Sequence, residues 1–445
     1  MSFKLFGNLG YFLLGLADEK LGLRNKLEPL HEQFAANAPV RPQAQVHGEA
    51  KVPSAAKVLA QYEVSNADQI AAAMAVDASA KAAADALAEA KAQHFDAILL
   101  LAHGTPDVLS EMDAYLKLVT GGRGVPPHVV HELQERYAEI GLKEEPTPEG
   151  PHLTKWTLLQ GRLLEQRIGT PVYVGMRNWK PFIADTVEEM KSKGVKRVRA
   201  ICLAPQNSRT SVGLYRRALE TAANGAFDID FVAGWSEHTL LIRAFAQTMR
   251  TAYEAALATG AKTAVLFTAH SVPCRTIQAK PSEHHGMMLT TDADTYAIEC
   301  KATAAHIATE LDDILTPQDT YFCFQSQGLS GGPWIGPSVE DTFAALKAEG
   351  YTHVVMQPVG FLCDHVEILY DIDIAFQMTG AELGLTVTRA ASLNDSPTLI
   401  AALADVARRG TRSLPQHEKP AVTAHPEVVA TLAPIEEQAA EQAAV

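Results

Sequence analysis

Two stretches of this chain end alike, and their likeness limits the folds open to it. Asp96–Pro106 reads DAILLLAHGTP and Thr263–Pro273 reads TAVLFTAHSVP. Each is an apolar run long enough for one strand, closing in Ala-His-x-x-Pro. A strand without polar alternation has to be covered on both faces, the condition of a parallel strand flanked by helices. His103 and His270 are then the first polar residues at the carboxyl ends of their strands, where open α/β sheets bind ligands. The expectation is an α/β chain with two similar Rossmann-like lobes, mostly parallel sheets and a cleft between them.

Around these two strands the pattern alternates. In the first lobe, residues 96–260, short apolar strands at Val172–Val174, Val198–Leu203 and Phe227–Val232 are separated by amphipathic helical stretches. The second lobe, residues 261–410, repeats the plan with strands at Thr320–Phe324, His353–Met356 and Leu385–Thr388. Alternation of this kind predicts one parallel sheet per lobe. The chain has 445 residues and is 47% hydrophobic, enough for two such cores. Residues 1–95 read as an N-terminal extension with an Ala-rich lead-in helix over Asp68–Ala92. Residues 411–445 are rich in Pro, Ala and Glu and read as a disordered tail.

A formal net charge of -14 argues against nucleic acid or an anionic membrane as the main partner. The five cysteines are scattered, with no CxxC pair, so neither a disulfide framework nor a zinc or iron–sulfur site is indicated. A reducing, cytoplasmic setting follows as the default. The apolar run Phe3–Leu16 is too short to span a bilayer and starts poorly for a signal peptide. A surface anchor, or a segment packed on the body, fits it better.

The second stretch able to carry chemistry is Gln357–Asp373, QPVGFLCDHVEILYDID. It reads as a strand end passing through Gly360 into a helix from His365 to Met378. Spacings of three and four put Asp364, Glu367 and Asp371 on one face of that helix. Scattered acids on a surface helix are common, and position favours function here: this helix leaves the same carboxyl edge as His270. A neutral imidazole facing a carboxylate can bind a first-row divalent cation or accept protons near neutral pH. No HExxH, P-loop, GxSxG elbow or strand-following GxGxxG is present. Ser271 adjoins His270 in sequence, which is not the geometry of a nucleophile and its base. The residues alone therefore describe a two-lobed α/β enzyme with a His and carboxylate cleft and leave its substrate open.

The motifs TAHSVP at Thr268–Pro273, GGPWIGP at Gly331–Pro337 and PVGFLCDHVEILYDID at Pro358–Asp373 resemble those of the ferrochelatase family, which inserts ferrous iron into a porphyrin. AHGTP at Ala102, YVGMRNWKPFI at Tyr173 and the SVGLY ending at Tyr215 add to the likeness, which covers Asp96 to Arg408. The resemblance implies that His270 and Glu367 are catalytic and handle the metal, with Asp371 extending an acidic track. Tyr215 and Trp334 would contact the macrocycle, and Ser326 and Arg136 would hold propionates. It implies ferrous iron and a porphyrin as substrates, no permanently bound cofactor and no iron–sulfur cluster. His103 stands where the family more often has Tyr or Met. As a second iron ligand opposite His270, or as a polar cap, it would bind substrate, and the ligand role is favoured. Thr120 and Gly121 replace a basic pair and Ala375 replaces the last acid of the track. Those losses favour protoporphyrin IX, whereas the wording of the motif favours coproporphyrin III, which is preferred narrowly. A heme or porphyrin carrier without turnover is the reading from a different class.

Overall fold

The computed structural model describes residues 95–273, 294–328 and 334–410. The readings of the N-terminal extension, the lead-in helix and the C-terminal tail lie outside the described residues. All the elements below belong to one compact unit.

The first sheet holds β1 (Ala97–Ala102), β2 (Val172–Met176), β3 (Arg197–Cys202) and β4 (Asp228–Val232), every pair parallel, in the order β2-β1-β3-β4. The second holds β5 (Thr263–His270), β6 (Thr320–Gln325), β7 (His353–Pro358) and β8 (Thr386–Arg389), also all parallel, in the order β6-β5-β7-β8. The two orders are the same. In each sheet the chain leaves its first strand to one side, then crosses back to the other. The carboxyl ends of β1 and β5 are therefore the topological switch points, where helices on opposite faces diverge and leave a crevice.

All six residues of β1 are buried. Ile98 and Leu100 face a central core; Ala97, Leu99 and Leu101 face α4 (Ile183–Ser192) and α5 (Val212–Ala223) on the outer side. Strand β5 does the same, with Val265 and Phe267 turned to the centre and Ala264 and Leu266 outward. The central core is common to both sheets. It takes Leu164 from α3 (His152–Ile168), Phe245 and Met249 from α6 (Thr239–Leu257), Ile307 from α7 (Tyr296–Glu310) and Leu403 from α11 (Pro397–Arg409). Each such fully buried side chain contributes roughly 1.5–3 kcal/mol. This common core holds the two switch points in one body.

The helices start where their sequences provide a cap. The α6 amino end is capped by His238, whose Nδ1 accepts from the Leu240 amide at 3.2 Å. Ser338 accepts from the Asp341 amide at 3.1 Å to open α8 (Val339–Ala348). Helix α3 stops at Gly169, whose φ of +71° ends the helix without strain. Helices α1 (Met112–Val119) and α2 (Pro127–Glu139) pack beyond the end of β1 through Met112, Leu116 and Tyr137. Among the described residues no helix is long and apolar enough to cross a membrane.

The helix expected over His365–Met378 is three pieces: α9 (Val366–Leu369), a π-helical turn (Asp371–Phe376) and α10 (Gln377–Glu382). The Ala375 amide reaches the Tyr370 carbonyl, five residues back, at 2.9 Å. The helix also begins later than the carboxylate spacing requires. His365 is its cap, with Nδ1 accepting from the Glu367 amide at 3.1 Å. Asp364 is thus outside the helix, tied to Asn394 at 2.9 Å and to Arg389 at 3.4 Å. The expectation of three acids on one helical face is corrected to two, Glu367 and Asp371.

Candidate active site

The site grows from the two switch points. At the end of β5, Ser271 donates to the Ile335 carbonyl at 2.8 Å and the Ile335 amide returns a bond to Val272 at 3.0 Å. These contacts fasten the segment after Trp334 across the strand end and use up the Ser271 hydroxyl. At the end of β6, Gln325 donates to the Glu367 carbonyl at 3.1 Å, fixing the first turn of α9 beside β5. The Glu367 carboxylate then lies 3.3 Å from His270 Nε2.

His270 has two acceptors as partners. Its Nδ1 faces the Ser271 carbonyl and its Nε2 faces the Glu367 carboxylate. A ring between two acceptors needs a proton on each nitrogen, which makes it an imidazolium. The electrostatics agree. Burial opposes the charge, but the Glu367 carboxylate outweighs it and raises the His270 pKa to about 9. Burial likewise opposes the charge of Glu367, and His270 overrides it to hold the carboxyl at about 2. The pair is an ion pair sharing one proton at neutral pH. The expectation of a neutral imidazole is corrected on this point.

His103, at the matching position after β1, is arranged differently. Its Nδ1 lies 3.1 Å from the Gly104 carbonyl, an acceptor, and 3.3 Å from the Tyr115 hydroxyl. Its Nε2 meets the Asn178 side-chain amide at 2.9 Å. With a donor on one side the ring is satisfied while neutral. Burial, seconded by the positive charge of Arg177, lowers its pKa. Gly104 makes the turn possible: its φ is +93°, and a Cβ there would stand 2.7 Å from the Trp179 backbone nitrogen.

Between these ends lies a cavity of about 370 Å³. His103, His270, His365 and Glu367 line it, and Tyr115, Tyr215, Tyr296, Trp334 and Phe361 are among its other wall residues. Trp334 and Phe361 flank the His270 ring, with centroids at 6.4 and 6.5 Å. Arg177 stands on the wall over Tyr215, 5.9 Å from its centroid. Its Nε is buried without a hydrogen-bond partner, and among the described residues no carboxylate pairs with it. A cavity with several aromatic wall residues, an ion pair on one side and an arginine on its wall suits an aromatic ligand that carries carboxylates.

Of the residues singled out in the sequence, the structure brings His103, His270, Glu367, Tyr215 and Trp334 to this cavity. Three do not line it. The Ser326 hydroxyl is buried and donates to Asp371, so it is committed to an internal acid. Asp371 is buried one turn beyond Glu367. Arg136 is buried against Glu132 and over the Tyr370 ring. Arg177 and Asn178 escaped the residue-by-residue reading although both lie within YVGMRNWKPFI. Their signal was position, directly after β2 and beside β1.

A family model described as ferrochelatase matches residues 95–411. The chain belongs to the ferrochelatase family. The ferrochelatase of Acidobacterium capsulatum is 54% identical over 326 residues, covering 73% of this chain and 97% of that protein. The coproporphyrin III ferrochelatase of Oceanobacillus iheyensis is 31% identical over 326 residues, covering 71% of this chain and 97% of that protein. Among solved structures, SirB from Bacillus subtilis with Fe3+ is similar at a TM-score of 0.42 and 14% identity, covering 73% of this chain and 99% of that one. This ferrochelatase is a porphyrin metal chelatase of heme biosynthesis, with ferrous iron and a porphyrin as its substrates.

Proposed function

We propose that this ferrochelatase inserts ferrous iron into coproporphyrin III in the cavity between the ends of β1 and β5, and that His270 and Glu367 handle the metal and the protons. The observation that carries the reading is the His270–Glu367 ion pair on the wall of an aromatic cavity large enough for part of a macrocycle. The reaction needs two pyrrole N–H bonds to break heterolytically, leaving both electron pairs on nitrogen for the iron. At rest the pair holds one proton. A dication arriving at Glu367 replaces that proton as the counter-charge and lowers the basicity of His270, whose Nε2 proton passes to solvent water. As the ion leaves Glu367 for the macrocycle, the neutral imidazole accepts one pyrrole proton and the freed carboxylate the other. Asp371, one turn on, provides the next acceptor. Tyr215 and Trp334 would hold the ring faces by stacking.

Coproporphyrin III is preferred because it carries four propionates. Arg177 offers a charge-assisted contact to one, and Ser211, from the loop after β3, lines the same cavity. Relatives named coproporphyrin III ferrochelatases at 30–32% identity support the same choice. The test is anaerobic ferrous insertion into coproporphyrin III and protoporphyrin IX in parallel, followed by loss of porphyrin fluorescence. The expected result is a higher kcat/KM for coproporphyrin III. A preference for protoporphyrin IX overturns the substrate assignment, and insertion undiminished in His270→Ala overturns the assignment of the site.

A further inference from the structure

We infer that Asn178 is a positioning residue that turns the Nε2 lone pair of His103 out of the cavity, so that this histidine borders one face of the porphyrin without ligating its iron. The inference rests on the reading that the macrocycle occupies the cavity lined by His103 and His270.

The geometry is specific. An imidazole lone pair lies in the plane of the ring, so its direction is that of its hydrogen-bond partner. That partner is the Asn178 amide, 2.9 Å from Nε2. Asn178 is 2% exposed and does not line the cavity, although His103 does. The lone pair therefore points into the protein wall while the ring borders the ligand space. The other nitrogen is held as well, by the Gly104 carbonyl at 3.1 Å, with the Tyr115 hydroxyl at 3.3 Å. Asn178 is itself fixed, because its backbone amide donates to the His103 carbonyl at 2.9 Å, just past the β1–β2 pairing. Reversing the side-chain amide would not free Nε2: the carbonyl oxygen of Asn178 would then accept a proton from it.

The chemical consequence concerns product release. Imidazole is a competent iron ligand. Two histidines on opposite faces of an iron porphyrin would hold it as a six-coordinate, low-spin complex and slow its departure. With His103 turned aside, the product keeps at most one protein ligand, and the cavity can pass it on. His103 keeps its packing against Tyr115, with ring centroids 6.3 Å apart, and fills the wall as a neutral polar group.

Ferric coproporphyrin III, titrated into the full chain, is the probe, read by visible absorption and electron paramagnetic resonance. The wild type is expected to give a high-spin complex with one axial ligand. Asn178→Leu, close in volume and unable to donate, is expected to give a low-spin complex whose dissociation slows by about ten- to hundred-fold. Asn178→Leu combined with His103→Ala should return the complex to high spin. Asn178→Asp, which can still hold Nε2, should stay high-spin, and it keeps the test open if the Leu variant folds poorly. High-spin complexes in both the wild type and a folded Asn178→Leu overturn the inference, as does a low-spin wild type that His103→Ala makes high-spin. Spectra unchanged by both His270→Ala and His103→Ala would instead put the porphyrin elsewhere and overturn the underlying site reading.

Discussion

Replacing Glu367 by Gln tests whether one carboxylate sets the proton state of the site. In the wild type two acceptors flank His270, and the Glu367 charge raises its pKa to about 9 against the effect of burial. Glutamine keeps the size of the side chain and removes its charge. Burial then acts against the Ser271 carbonyl and the more distant Asp371, and the midpoint should fall to the ordinary value of about 6.5 or below. At pH 7.5 the neutral fraction of His270 would rise from roughly 3% to about 90%, a change of some thirty-fold. The assay is a proton–carbon NMR titration of histidine-labelled protein, with the His270 resonance assigned by its loss in His270→Ala. The kinetic counterpart follows in sign. Metal must displace a proton from the wild-type pair, so kcat/KM for the ion should climb with pH towards 9. In Glu367→Gln the profile should be flat above pH 7.5, at a level about 100- to 1,000-fold lower because the carboxylate that receives the cation is gone. A His270 midpoint within one pH unit of the wild-type value in the variant would refute the argument, since the carboxylate would then not be what raises it.

Two further outcomes follow from the walls of the cavity. Arg177→Met keeps the apolar contact with Tyr215 and removes the charge, and should raise the porphyrin KM by about 10- to 100-fold with kcat little changed, as measured by fluorescence titration and steady-state insertion. Gly104→Ala should destabilise the fold by about 3 kcal/mol, read in urea denaturation, because the φ of +93° and the 2.7 Å approach to the Trp179 nitrogen both exclude a Cβ.

What could be read from the sequence depended on how far each determinant reaches along the chain. Strands β1 and β5 were legible because burial on both faces leaves an unbroken apolar run, and a histidine beside such a run is placed by the run itself. His270 was legible for that reason, and Glu367 through the carboxyl edge that its helix leaves. Asp364 was misread because helix spacing was counted through a residue that precedes the cap at His365, and a six-residue π turn leaves no mark in a periodicity of three and four. Ser326 and Arg136, which the resemblance gave to the propionates, have protein carboxylates as partners, Asp371 and the partly buried Glu132, and no local pattern announces such pairings.

The two histidines make the same point more sharply. They end equivalent strands in similar words, AHGTP and AHSVP, and elementary chemistry would give them the same state. Their states differ because one meets acceptors on both nitrogens and the other an acceptor and a donor. The deciding partners lie far off in the chain, Glu367 in α9 for His270 and Asn178 just after β2 for His103, the latter 75 residues away. Duplicated topology supplies two equal positions at the switch points; different crossovers deliver their partners, the segment after β2 for His103 and the helix after β7 for His270, and these make one histidine a proton-bearing cation and the other a neutral wall. An asymmetric site of this kind suits a reaction that needs a charged, proton-bearing group on one wall and an uncharged one on the other.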